Sequence, residues 1–317
     1  MENKRFVTVG DLIADFYYNK TKLLGIDGGS SRFNVIANLA HMNCQSAVVG
    51  GCGNDKIGKT IIKRLANIGV DTSKIFLRDR AVRAYHLTIN PSMLPKITYQ
   101  CSKNSPKNGE SSWYEDSVED ISYYHNEIKD TDVIILDMVD EFSLSAINEF
   151  KCDKVLDIGN ANRLSKLQDS QISLLKNKIE ILQLNENVVP YLMQRFECTN
   201  LLDIYKFLQP KLMIVTRGKE GADFVFENTV HSKKLLNSAN EIDATGAGDA
   251  FLSVFVKNYY DNSKKVNHEF IDNTFKEAVT LTSEVVQHIG ARGHLYEKTM
   301  DKLAQKNKLK EDEEPDR

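Results

Sequence analysis

Glu241 to Phe251 reads EIDATGAGDAF, and this stretch decides what kind of fold to look for. Gly246, Ala247 and Gly248 stand between a polar lead-in and Asp249, and a largely apolar run, residues 250–256, follows at once. The order predicts a tight loop feeding a helix whose first turn holds a carboxylate. Glycine lets backbone approach a ligand closely, and the unpaired N–H groups of a helix start attract an anion. A carboxylate inside such a cradle repels phosphate, so it makes chemical sense as a base acting on a hydroxyl beside that phosphate. Phosphoryl transfer to an alcohol is the first reading. An ordinary helix start, its first-turn Asp favoured by the macrodipole, accounts for the same residues, and the rest of the chain has to decide.

Working outward, residues 5–9 form a β-prone run ending in Gly10-Asp11, with Asp15 shortly after. Acids at the carboxyl edge of a strand are where open α/β sheets contact ligands, so Asp15 is either a hydroxyl acceptor or a solvated loop acid. Residues 26–34, IDGGSSRFN, hold the paired glycines Gly28 and Gly29 and lead into apolar residues at helical spacing, with Asn34 in the first turns. An amide there both donates and accepts, which suits a polyol or sugar. Strand-like runs recur at residues 45–51, 133–136, 154–158, 179–184 and 211–216. Helical patterns alternate with them, at residues 61–68, 143–150, 171–176 and 201–208, before the helices expected at 250–260 and 270–287. Apolar strands alternating with helices predict a doubly wound, mainly parallel sheet in an αβα sandwich. Three short segments, 74–77, 85–89 and 96–101, break that rhythm and predict a small antiparallel sheet that acts as a lid excluding water. Trp113 and Tyr114, beyond the loop at 102–112, either stack on a ring or pack beneath that loop.

Composition narrows the class. The 317 residues are 41% hydrophobic and 27% charged with a formal net charge of -3, which offers no basic field to nucleic acid or anionic lipid. Neither a signal-peptide run nor a membrane span is legible, so a cytoplasmic protein is expected. Cys44, Cys52, Cys101, Cys152 and Cys198 are scattered without a CxxC pair and read as reduced packing thiols. No GxGxxG follows the first strand, which removes the dinucleotide fingerprint of an oxidoreductase. Residues 305–317 are charged with no apolar face and are expected to be a disordered tail behind a single domain spanning 1–304.

The motif DATGAGD at 243–249, running into Ala250-Phe251, resembles the carboxy-terminal signature of the ribokinase-like (PfkB) family of carbohydrate and nucleoside kinases. VGDLIAD, with Asp15, resembles that family's first strand and substrate-binding acid. GGSSRFNVIANLA followed by VVGGCGNDKIGK is similar to its amino-terminal signature, and IVTRGKEGA, with Thr216, Gly218 and Gly221, to its nucleotide segment. The resemblance implies an αβα domain with a β lid built from segments near 12–27 and 74–112. It implies ATP and magnesium, with room for a monovalent cation, and phosphorylation of a hydroxymethyl group of a sugar or sugar-like molecule. Asp249 is then the general base and Gly246, Ala247 and Gly248 the anion hole. Asp15, Gly28, Gly29 and Asn34 hold the acceptor. Asn185, Thr216, Gly218, Gly221, Thr245, Val279 and Thr282 contact the nucleotide, and Glu186 the metal. A homodimer joined through the lids is also implied.

Departures from the family's pattern carry information. Its mid-chain NxxE motif appears here as Asn185-Glu186-Asn187-Val188, with valine where the glutamate belongs. Arg32 and Phe33 replace small residues ahead of Asn34; Arg32 either reaches an anionic group or is a surface arginine. Ser30 stands where a sugar phosphate would call for lysine, which leans towards an unphosphorylated acceptor. A nucleoside kinase, with Phe33, Trp113 and Tyr114 as base-stacking candidates, is the alternative within the class. A non-catalytic ligand- or partner-binding protein of the same fold is the alternative outside it.

Overall fold

A computed structural model of the chain describes residues 4–90, 93–98, 118–137, 141–165, 167–235 and 240–296. The loop at 102–112, Trp113, Tyr114 and the tail lie outside these residues. The amino-terminal half runs β1 (Arg5–Val9), β2 (Ile13–Asn19), β3 (Lys22–Gly28), α1 (Ser31–His41), β4 (Gln45–Gly53), α2 (Lys56–Ile68), β5 (Asp71–Arg78), β6 (Arg83–Asn90) and β7 (Met93–Thr98). The centre follows as α3 (Val118–Glu127), β8 (Val133–Leu136), α4 (Glu141–Glu149), β9 (Asp153–Ile158), α5 (Ala161–Leu164), α6 (Asp169–Ser173), β10 (Ile181–Asn185), α7 (Val189–Arg195) and α8 (Leu201–Leu208). Then come β11 (Leu212–Thr216), β12 (Ala222–Phe226), β13 (Thr229–Lys233), α9 (Ala247–Asp261) and α10 (His268–Val285).

Nine strands form one sheet in the order β13-β12-β11-β10-β9-β8-β1-β4-β5. Pairing is parallel from β5 through to β11, and β12 and β13 are added antiparallel at one edge. The inner strands are largely apolar because both faces are buried, whereas the edge strands β5 and β13 are part-exposed and carry polar residues. Phe6 and Ile135 point into one core, with Phe33, Leu65, Phe255 and Phe275 from α1, α2, α9 and α10. Val7, Val9, Ile134 and Leu136 point into the other, with Tyr124, Ile147, Leu192 and Ile204 from the helices α3 to α8. Strand order reverses at β1, which lies between β8 and β4. That switch point is where a crevice opens beyond the carboxyl ends of a doubly wound sheet.

A second sheet has the order β3-β2-β6-β7. It differs from expectation in two respects. Residues 74–77 belong to β5, which pairs with β4 at the edge of the large sheet, so they are no part of the lid. A short apolar strand has the same pattern in either sheet, and only its pairing decides. The small sheet is also mixed rather than antiparallel, since β2 pairs parallel with β6. The hairpin β12–β13 went unread in the sequence; β12 is buried along its whole length and so lacks alternation.

Candidate active site

Gly246 caps the amino end of α9 with φ +84°, and a Cβ there would come within 2.5 Å of Ala291 Cβ. Only glycine combines that backbone with that contact. Asp243 holds the loop in place. Its Oδ1 accepts from the Thr245 amide at 3.0 Å and the Thr245 hydroxyl at 2.7 Å, and its Oδ2 accepts from the Gly290 amide at 2.8 Å. The Ala247 amide turns back to Ala244 O at 3.2 Å, and Ala250 is the first residue to bond within the helix, to Gly246 O at 2.9 Å. The amides of Gly248 and Asp249 therefore have no intrahelical acceptor, while that of Ala247 is engaged.

The Asp249 carboxylate is 7% exposed and accepts from Asn34 Nδ2 at 2.7 Å. Asn34 Oδ1 in turn accepts from Arg292 Nε at 2.9 Å. Asp15, on β2, accepts from the Tyr17 hydroxyl at 3.3 Å and feels the charges of Arg292 and Asp249. Asp15, Asn34 and Asp249 thus converge, although they come from the small sheet, α1 and α9. Gly28 and Gly29 lie beside them: a Cβ on Gly28 would stand 2.4 Å from Arg292 Nη1, and one on Gly29 would stand 2.2 Å from the Asp15 carboxylate.

Burial governs the proton affinities. It raises the Asp249 carboxyl above its ordinary value against the hydrogen bonds from Asn34 and Ser31. Desolvation pushes Asp15 up to about 7, with Arg292 and the Tyr17 hydroxyl opposing. Asp157, at the end of β9, is pushed up to about 8 by burial and then by the Asp249 charge. These carboxylates titrate as a coupled set. A carboxylate of raised pKa is a stronger proton acceptor when ionised, which is what a base for an alcohol needs.

Arg32 is not a surface arginine. Its guanidinium lies 3.7 Å from Asp137, which also accepts the Ser30 hydroxyl and the Arg32 backbone amide. Phe33 is 1% exposed in the core. Gln183 Nε2 donates to Asp157 at 3.1 Å and to the Gly248 carbonyl at 3.2 Å, tying β9 and β10 to the glycine loop. At the same sheet edge Asn185 and Thr216 are register partners on β10 and β11. Gly218 and Gly221 follow with φ +49° and +101°, and the Gly221 position is closed to a side chain by Lys233 O. Thr282 donates to Ala247 O at 3.5 Å from α10, where Val279 packs against the core.

A protein cage for magnesium does not fit the residues present. Glu186 is exposed, Asn185 Oδ1 caps its own turn by accepting from Asn187 at 3.0 Å, and Val188 is fully buried in the core. Among the described residues no group of three His, Cys, Asp or Glu is placed to hold a metal ion.

Sequence reasoning passed over Arg292, Asp137, Gln183 and Tyr17, and Asp157 figured only within the strand-like run 154–158. Gly290 and Gly293 around Arg292, after the last long helix, were the available signal: they mark a turn that must fit closely against something.

The sequence pattern of the pfkB family carbohydrate kinases matches residues 6–298. The ATP-dependent 6-phosphofructokinase of Thermoanaerobacterium thermosaccharolyticum is 24% identical over 237 residues, 72% of this chain and 70% of that protein. Ribokinase from Thermotoga maritima superposes with a TM-score of 0.68 at 15% identity, covering 94% of this chain and 99% of that one. The nucleoside kinase of Burkholderia thailandensis, solved with inosine, gives a TM-score of 0.68 at 13% identity over 92% and 93%. With both sheets, the glycine loop and a match along nearly its whole length, the chain belongs to the pfkB family of carbohydrate kinases, ATP-binding phosphotransferases that act on an alcohol.

Proposed function

We propose that this chain transfers the γ-phosphoryl group of ATP to a hydroxymethyl hydroxyl of a sugar or sugar-like polyol, with Asp249 as the general base. The observation that carries the reading is the buried Asp249 carboxylate, bonded to Asn34 and borne on the first turn of α9, where the amides of Gly248 and Asp249 have no intrahelical acceptor. Asp249 takes the hydroxyl proton as the oxygen forms its bond to phosphorus and the bond to the ADP oxygen breaks. Those amides receive charge on the transferring phosphoryl group. Asp15 and Asn34 orient the acceptor, so that its oxygen attacks in line. Asn185, Thr216, Gly218 and Gly221 flank the nucleotide at the sheet edge. With no protein cage for it among the described residues, magnesium would arrive with the nucleotide and supply neutralisation of phosphate charge. The small sheet closes over the acceptor as a lid. Leu23 and Leu24, exposed on its edge strand β3, suit pairing with a second copy, which sedimentation velocity measures.

Phe33, turned into the core, is not placed to stack on a nucleoside base. The test is to incubate the protein with magnesium-ATP and a panel of sugars, polyols and nucleosides beside Asp249→Asn. Wild type should phosphorylate at least one sugar, and the variant should lose about 10²- to 10⁴-fold in kcat while still binding it. Equal turnover by the variant, or transfer only to nucleosides, overturns the reading.

A further inference from the structure

Arg292 has no assigned role in the reaction above. It is 1% exposed, one of the largest fully buried side chains of the molecule, and its turn is held to the glycine loop by Asp243 and by the contact between Gly246 and Ala291. Its Nε is bonded to Asn34, but its Nη1 is buried without a hydrogen-bond partner. A buried guanidinium N–H left unmade costs far more than a neutral one, and such atoms in folded proteins call for an acceptor. The position of this atom is specific. Nη1 lies over Gly28, where a Cβ would be 2.4 Å away, and the Asp15 carboxylate lies over Gly29, where a Cβ would be 2.2 Å away. Consecutive glycines thus carry a strong donor and a strong acceptor side by side.

Charge decides what chemistry belongs between them. Asp137 faces Arg32 at 3.7 Å, and Asp27 faces Arg64 at 3.4 Å and accepts the Tyr296 hydroxyl at 2.7 Å. Arg292 is left to balance both Asp15 and Asp249, each at most 7% exposed. An acceptor bringing a further phosphate or carboxylate to Nη1 would add negative charge to a cluster already in excess, in a dry site where charge is poorly screened. An uncharged hydroxyl satisfies both groups at once, its oxygen accepting from the guanidinium and its proton going to the carboxylate.

We propose that Arg292 is an acceptor-binding residue: Nη1 and the Asp15 carboxylate grip one hydroxyl of a neutral polyol, a hydroxyl other than the one phosphorylated, and so select against phosphorylated and carboxylated sugars. The proposal rests on the acceptor side of the phosphoryl-transfer reading and adds the class of acceptor.

The experiment is equilibrium binding by calorimetry, together with steady-state kinetics, on the full chain as wild type, Arg292→Lys, Arg292→Gln and Gly28→Ala. The probes are neutral hexoses, pentoses and their polyols, the corresponding sugar phosphates and sugar acids, and monodeoxy forms of the best neutral acceptor. Neutral acceptors should bind, and their phosphate and acid forms should bind at least about tenfold more weakly. Arg292→Gln should raise Kd and KM for the neutral acceptor about tenfold to a hundredfold with a much smaller change in kcat, and Arg292→Lys should recover part of the loss. Gly28→Ala, which keeps the charge and displaces the guanidinium, should mimic Arg292→Gln. One deoxy acceptor should lose as much in wild type as Arg292→Gln does, and no more in the variant. Unchanged Kd in Arg292→Gln, or tight binding of a phosphate or acid form that depends on Arg292, overturns the proposal. If Arg292→Gln does not fold, the deoxy series in wild type with Gly28→Ala decides. Neutral acceptors that bind through Arg292 but never receive phosphate would overturn the transferase reading and leave this one standing.

Discussion

Asp15 and Asp157 show how one buried cluster links function and stability to pH. In the proposed acceptor grip Asp15 accepts a hydroxyl proton in its ionised form, and burial pushes its carboxyl up to about 7. KM for the acceptor should therefore fall about tenfold between pH 6 and 8 and level off above, and Asp15→Asn should flatten the profile. Asp157 acts on stability. With a folded value of about 8, above the unfolded 3.8, the native state binds more protons across that interval. Its contribution is favourable below pH 3.8 and is lost as pH rises through 8. Asp157→Asn keeps an acceptor for Gln183 and should raise Tm by a few degrees at pH 8.5, with no gain at pH 4; scanning calorimetry at both pH values checks this. The residues that motifs announce, Asp15, Asn34 and Asp249, were legible because each sits where a glycine turn meets a strand or helix start. Arg292 and Gln183 were not: the glycines beside Arg292 mark a close-fitting turn without saying what its side chain meets, and nothing local distinguishes a buried glutamine from an exposed one. Their roles come from partners 258 and 26 to 65 positions away in the chain.

At the level of elements, the helix start at Gly246 separates backbone demands from chemical ones. Gly246→Ala should cost stability, roughly 1–2 kcal/mol for the left-handed backbone and more for the contact with Ala291, with loss of activity. Gly248→Ala should do the opposite. Its nearest neighbour to an added Cβ is Gln183 Nε2 at 3.7 Å, and alanine favours a helix by about 1 kcal/mol. Tm should hold or rise while kcat falls, the outcome expected if this loop receives the phosphoryl group as proposed; thermal melts and initial rates on the same preparations separate the two. Most strands and helices were legible from periodicity, since a doubly wound sheet exposes little of its strands and marks its helices with one apolar face. Sheet membership was not. Residues 74–77 and the small-sheet strands share short, β-branched character, and the difference between them is made by β4, which lies beside β5.

Across the whole molecule the candidate site is assembled from the small sheet and the body: Asp15, Tyr17 and Asp27 come from the former, and Asn34 and Asp249, on helices α1 and α9, and Arg292, in the turn after α10, from the latter. Acceptor binding should consequently slow amide hydrogen exchange in β2, β3 and β6, beyond any change in the buried strands β8 to β10; exchange mass spectrometry with and without acceptor measures it. The parallel pairing of β2 with β6, Ile13 opposite Arg83, has a further meaning for a chain emerging from the ribosome. The hairpin β2–β3 pairs chain neighbours, but the other edge of β2 has no partner until β6 is made, after α1, β4, α2 and β5. A nascent chain halted before Arg83 therefore carries Asp15 on a strand that has only one of its two partners.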